Sequence, residues 1–161
     1  MAELGTYVVS TEESAARALD YFNGFHDGFM KRIVIESRDR IGADRGQSCT
    51  GLFDVTIDFA HYNYPDGAAP FHPYNQIVRA KFRNVQDIVS DFRQGFTGNT
   101  IIGFSISSVN RRAAGQTGDE HGLGLRFSRH FLLEDQRRHE LRESQLFTFS
   151  EATFVELPTK A

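Results

Sequence analysis

Between Phe53 and Phe59 every second residue is apolar: Phe53, Val55, Ile57 and Phe59 alternate with Asp54, Thr56 and Asp58. Successive side chains of an extended chain point to opposite faces, so this stretch has one buried and one wet face only as a strand. The period of two recurs along the chain. Phe29–Ser37 sets Phe29, Lys31, Ile33 and Ile35 on one face and Met30, Arg32 and Val34 on the other. Further strands are expected over residues 77–82 and 99–109, the second with Ile102, Phe104 and Ile106 on one face. Another begins at Leu123, Leu125 and Phe127, and the tail over residues 141–157 reads as one long strand or two short ones. Apolar–polar alternation is the signature of antiparallel sheets with one solvated face. A parallel βαβ arrangement fits worse, because helices do not alternate with the strands. The expected fold is mainly β, α+β at its margin: an antiparallel β-sandwich or partly closed barrel with an N-terminal helix and one short internal helix.

The N-terminal helix is expected over residues 10–23. Ser10 can cap it, with Glu13 completing a capping box. Ala15, Ala16, Ala18 and Leu19 favour helix, and Asn23-Gly24 supplies a stop because both tolerate positive φ. Ala15, Leu19 and Phe22 make a narrow apolar stripe suited to lie on a sheet. The internal helix is expected over residues 85–92, capped by Asn84, with Val85, Ile88, Val89 and Phe92 at helical spacing. Connections rich in Gly, Asp, Ser and Pro span residues 38–51, 64–73 and 111–122, the last a surface loop. Residues 1–161 read as one domain, the helix on the sheet and the β region over 29–157, with no repeat or linker to divide them.

Bulk composition narrows the function. The 161 residues are 40% hydrophobic and 24% charged, which excludes disorder as the expectation. Fifteen Phe and no Trp favour a core between sheets. A net charge of -3 argues against nucleic acid, since phosphate binding needs clustered Lys and Arg. Local basic patches are expected around Arg111, Arg112 and Arg126, or around Arg137 and Arg138. Cys49 is the one cysteine, so no intrachain disulfide forms and a reducing compartment is favoured. The first twenty residues lack an apolar signal region, and no run reaches the roughly 18 apolar residues of a membrane span. The expected location is cytoplasmic, with no membrane partner.

Two constellations could carry chemistry. His26 and Asp27 stand between the first helix and the first long strand. They read as a turn, with Asp27 satisfying backbone donors, rather than as a catalytic pair. Residues 61–74 concentrate His61, Tyr62, Tyr64, Phe71, His72 and Tyr74 with three prolines. Tyr gives contact area at small entropic cost, so this stretch is the candidate binding loop. His61 and His72 match no zinc spacing, and Cys49 adds little, so no metal or other cofactor is expected. Nucleophile elbows and phosphate loops are missing: the glycines of residues 95–98 and 122–124 lack the Lys-Ser/Thr that grips phosphate.

The order of features resembles the small bacterial immunity protein 50-like family. Its members open their sheet with a Phe-His-Asp element, here Phe25-His26-Asp27. The likeness continues through Val78 to Val85, then Asp87 to Phe92 and Ile101-Ile102, and ends in the strand from Leu146 to Leu157. It implies a β-rich cytoplasmic protein that binds another protein, a toxin among the candidates, and it carries no catalytic residue. The expected function is therefore a non-enzymatic protein-binding module, with homodimerisation open. The alternative is a small-molecule-binding β domain, or an enzyme with its site near His26, His61, His72 and Tyr74.

Overall fold

A computed structural model describes residues 5–25, 28–62, 75–88, 103–112, 119–132 and 139–157. A short strand, β1 (Thr6–Val9), leads into the helix α1 (Glu12–Tyr21) and one 3-10 turn (Asn23–Phe25). Then come β2 (Phe29–Ser37), the two-residue strands β3 (Arg40–Ile41) and β4 (Gln47–Ser48), and β5 (Phe53–Tyr62). The remainder is β6 (Asn75–Val85), β7 (Gly103–Arg112), β8 (Asp119–Leu132), β9 (His139–Phe149) and β10 (Glu151–Leu157). The protein is mostly β, as the alternation predicts, and every strand pair is antiparallel.

Helix α1 lies inside the expected span of residues 10–23, and its cap is the second of the two residues, Ser10 and Thr11, near which its start is expected. Thr11, not Ser10, is the cap: its hydroxyl accepts the Ser14 N–H at 3.2 Å, and Ser14 Oγ accepts the Thr11 N–H at 3.0 Å. Glu13 instead pairs with Arg17 across one exposed turn, at 2.7 Å. The helix stops where expected, at Asn23 (φ 49°) and Gly24 (φ 57°). Ala15, Ala18 and Phe22 are buried, so the apolar stripe is the packed face.

Two main sheets form the fold. The first has the order β1-β10-β6-β5-β2, the second β7-β8-β9, and β3-β4 make a small hairpin of their own. Aromatic rings fill the space between the main sheets. Phe82 of the first sheet meets Phe147 and Phe149 of the second, each at 5.0 Å between centroids, and Phe59 meets Phe104 at 5.5 Å. Each fully buried ring contributes about 1.5–3 kcal/mol through burial alone. Ile57 and Phe104, the expected core markers, are 1% and 7% exposed. The arrangement is a sandwich: among the described residues the first sheet ends at β1 and β2 and does not close. No helix among the described residues is long and apolar enough to cross a membrane.

Three expectations change. In β2 a bulge between Met30 and Arg32 breaks the alternation. Met30 therefore lies on the core side, opposite Phe59, together with Ile33 and Ile35, which face Ile57 and Val55. Arg32, Val34 and Glu36 hold the outer side. Second, Asn84 and Val85 do not start a helix. They end β6, with Val85 facing Phe53, and Gln86 bridges to Thr148 of the second sheet. Residues 89–92 of that expected helix lie outside the described residues. Third, Arg111 belongs to no surface patch: it is 4% exposed and lies within β7. Gly122, the register partner of Val109 two residues away, leaves room for its side chain, since a Cβ there would come within 2.6 Å of Arg111 Cδ.

Candidate functional site

One extra residue in β6 builds the most distinctive polar site. Phe53 faces Val85 and Val55 faces Phe82, so Asp54 alone opposes Arg83 and Asn84. A bulge of this kind re-aims side chains, and one residue must absorb the irregular backbone. Asn84 does so, at φ 53°, a left-handed conformation that Asn tolerates better than most residues.

Asn84 then uses all of its polar groups. Its N–H donates to Asp54 Oδ1 at 3.4 Å, and Nδ2 donates to Ser150 Oγ at 2.9 Å. Its side-chain oxygen accepts from Arg38 Nη1, and its carbonyl accepts from Arg111 Nη1. Four segments thus meet on one residue: the chain after β2, the start of β5, the β9–β10 junction and β7. Ser150, between β9 and β10, is fixed in turn, its N–H donating to the Arg83 carbonyl at 3.1 Å. Arg38 Nε lies 3.9 Å from Asp54 Oδ2.

Above this network opens a cleft of about 510 Å³ lined by Arg38, Asp54, Arg83, Asn84, Ser150 and Glu151. Two guanidinium groups and two carboxylates face it, with an amide and a hydroxyl. Arg38 is engaged by Asn84 and Asp54. Arg83 and Glu151 oppose each other in register, yet neither makes an ion pair among the described residues. The cleft can bind ionic or amide groups. Among the described residues its lining is wholly polar or charged.

Two other polar clusters serve the fold. On the outer side of the first sheet, Arg79 Nε and Nη2 donate to the two Asp58 oxygens at 2.7 and 2.9 Å. Those hydrogen bonds hold the Asp58 carboxyl below its usual range. At the β1 end, buried Glu156 accepts the Gly5 N–H at 2.7 Å and the Tyr21 hydroxyl at 3.3 Å. Burial first, and the Glu156 charge second, raise the Tyr7 and Tyr21 phenols.

The residues singled out in the sequence lie elsewhere. His61 and Tyr62 end β5, seven and eight residues beyond Asp54, so at about 3.3 Å per residue they stand some 23 Å or more from the cleft. Tyr64, Phe71, His72, Tyr74, His26 and Asp27 fall outside the described residues. Near the last two, the Gly28 N–H donates to the Phe25 carbonyl at 2.9 Å. Among the described residues no group of three or more His, Cys, Asp or Glu is placed to hold a metal. Sequence reading missed Arg38, Asp54, Arg83, Asn84, Ser150 and Glu151 as a group. Asn84 alone carried a signal, its tolerance of positive φ. Comparison with family models, with curated proteins and with solved structures finds no match.

Proposed function

We propose that this protein is a non-enzymatic protein-binding module that covers a partner protein, as a toxin-neutralising immunity protein does. The observation that carries the reading is the cleft at the β6 bulge. Arg38 is held there by Asn84, and Arg83 lies open beside it. Arginine is over-represented among residues that dominate binding energy, and a pre-positioned guanidinium loses less entropy when a partner docks. The net charge of -3 favours a basic partner, which long-range attraction would steer in.

A small-molecule-binding β domain is the second reading, favoured by the volume of the same cleft, about 510 Å³. Small-molecule sites of that size are mostly apolar with a few polar groups. All six lining residues here are polar or charged. The lining therefore suits the hydrated contacts of a protein rim better than the burial of a metabolite.

Affinity capture from the native host, with wild type and Arg83→Ala as paired baits, tests this. A protein partner is expected in stoichiometric amount with wild type and about tenfold less with Arg83→Ala, the effect of losing about 1.4 kcal/mol. Recovery of a bound metabolite and no stoichiometric protein would sink the leading reading in favour of the second.

A further inference from the structure

We propose that β2 is a self-association edge, where a second copy of this chain adds its own β2 antiparallel, centred on Val34. Strand β2 ends the first sheet, and among the described residues nothing pairs with its outer side. A free edge presents a row of backbone donors and acceptors that another strand can satisfy. It also leaves large apolar side chains in water: Ile35 is 46% exposed, although it faces the core residue Val55.

The pattern of side chains selects the occupant. In an antiparallel pair related by a twofold axis at Val34, Arg32 of each copy meets Glu36 of the other, and Ile33 meets Ile35. Arg32, Val34 and Glu36 share the outer face, and Ile33 and Ile35 share the core side. Both faces therefore match themselves: two opposite-charge pairs flank Val34 against Val34, and four isoleucines continue the core. Neighbouring registers do worse. Centring on Ile35 sets Arg32 against Arg38, and centring on Ile33 sets Glu36 against Met30. A shift by one residue would turn the core side of one copy toward solvent.

Among the described residues neither charge makes an ion pair within one chain. Glu36 faces Asp54 across the β2–β5 pair, an arrangement of like charges that costs stability. Arg32 faces Asp58 and its charge acts on that carboxylate, but the bidentate hydrogen bonds to Asp58 come from Arg79. A second copy supplies Glu36 with a cation and Arg32 with an anion.

Sedimentation of the full chain over a concentration series, up to about 1 mM to include weak association, tests the pairing through two charge reversals. Wild type is expected to pass from monomer to dimer as concentration rises. Glu36→Arg and Arg32→Glu should each self-associate at least about tenfold more weakly, a loss of about 1.4 kcal/mol. An equimolar mixture of the two should form a heterodimer near wild-type strength, because the edge of one variant carries two cations at these positions and the edge of the other two anions. Rescue on mixing also shows that both variants remain folded. Three results would each overturn the proposal: wild type monomeric throughout, single variants that dimerise like wild type, or no gain on mixing.

Discussion

Asn84 joins more of the molecule than any neighbour because its backbone and side chain work together. The bulge in β6 demands a residue at positive φ, and the cleft demands an amide that can donate to Ser150 and accept from Arg38. Glycine meets the first demand and not the second, while alanine meets neither. Asn84→Gly should cost about 1–2 kcal/mol, the value of one or two lost hydrogen bonds with partly exposed partners. Asn84→Ala should cost about 2–3 kcal/mol, since a Cβ in the left-handed region adds roughly 1 kcal/mol. Urea unfolding of both variants measures the difference. Equal losses would show that the bulge relaxes when the amide is removed, and the backbone requirement would fall away.

Strands β5 and β6 are locked by a pair that responds to acid. The Arg79 hydrogen bonds keep Asp58 ionised below its usual pKa of 3.8. A depressed carboxyl contributes its stability above the unfolded-state pKa and loses it as pH falls through the folded-state value. Asp58→Asn should therefore be less stable than wild type near neutrality and approach it below pH 3.8. The Arg79 side chain is 33% exposed, so screening limits the difference at pH 7 to about 1 kcal/mol. Melts of both proteins across that range check it, and a gap that persists in acid would rule the pair out as its source. The elements themselves differ in how far the sequence reveals them. Strand β5 is legible because its alternation runs unbroken from Phe53 to Phe59 and one face is buried. Strand β2 has the same signal, but its bulge depends on pairing with β5, so Met30 changes face with no local sign. Val85 and Ile88 happen to fit helical spacing, yet Val85 is buried by facing Phe53 across the sheet. The cleft is illegible for a related reason. Its six residues come from or adjoin the ends of separate strands, and only the register of β10, β6, β5 and β2 brings them together.

Helix turn and both sheets converge on Phe25. Its ring lies 5.1 Å from Phe22, 4.8 Å from Phe59, 5.0 Å from Phe104 and 5.9 Å from Phe154, centroid to centroid. Those partners sit after α1, on β5, on β7 and on β10, so one side chain bridges the helical segment, the first sheet and the second. The residue is fully buried and holds φ 53°, a conformation that costs a non-glycine residue about 1 kcal/mol or more. Such strain persists only where packing over-determines the backbone. Phe25→Ala should cost about 3–5 kcal/mol, the range for truncating a buried aromatic. The form of the transition is as informative as its midpoint. If the shared aromatic core makes the sheets one cooperative unit, far-UV circular dichroism and tyrosine fluorescence must follow one denaturation curve in wild type. Two of the five tyrosines, Tyr7 and Tyr21, lie at the β1–α1 corner, so the fluorescence samples that corner while the circular dichroism reports every strand. In Phe25→Ala both curves should move together to lower denaturant. Curves that separate in the variant would mean that each sheet keeps its own stability once the bridging ring is gone. A loss under about 0.5 kcal/mol, typical of surface changes, would mean that Phe25 is not the joint between them.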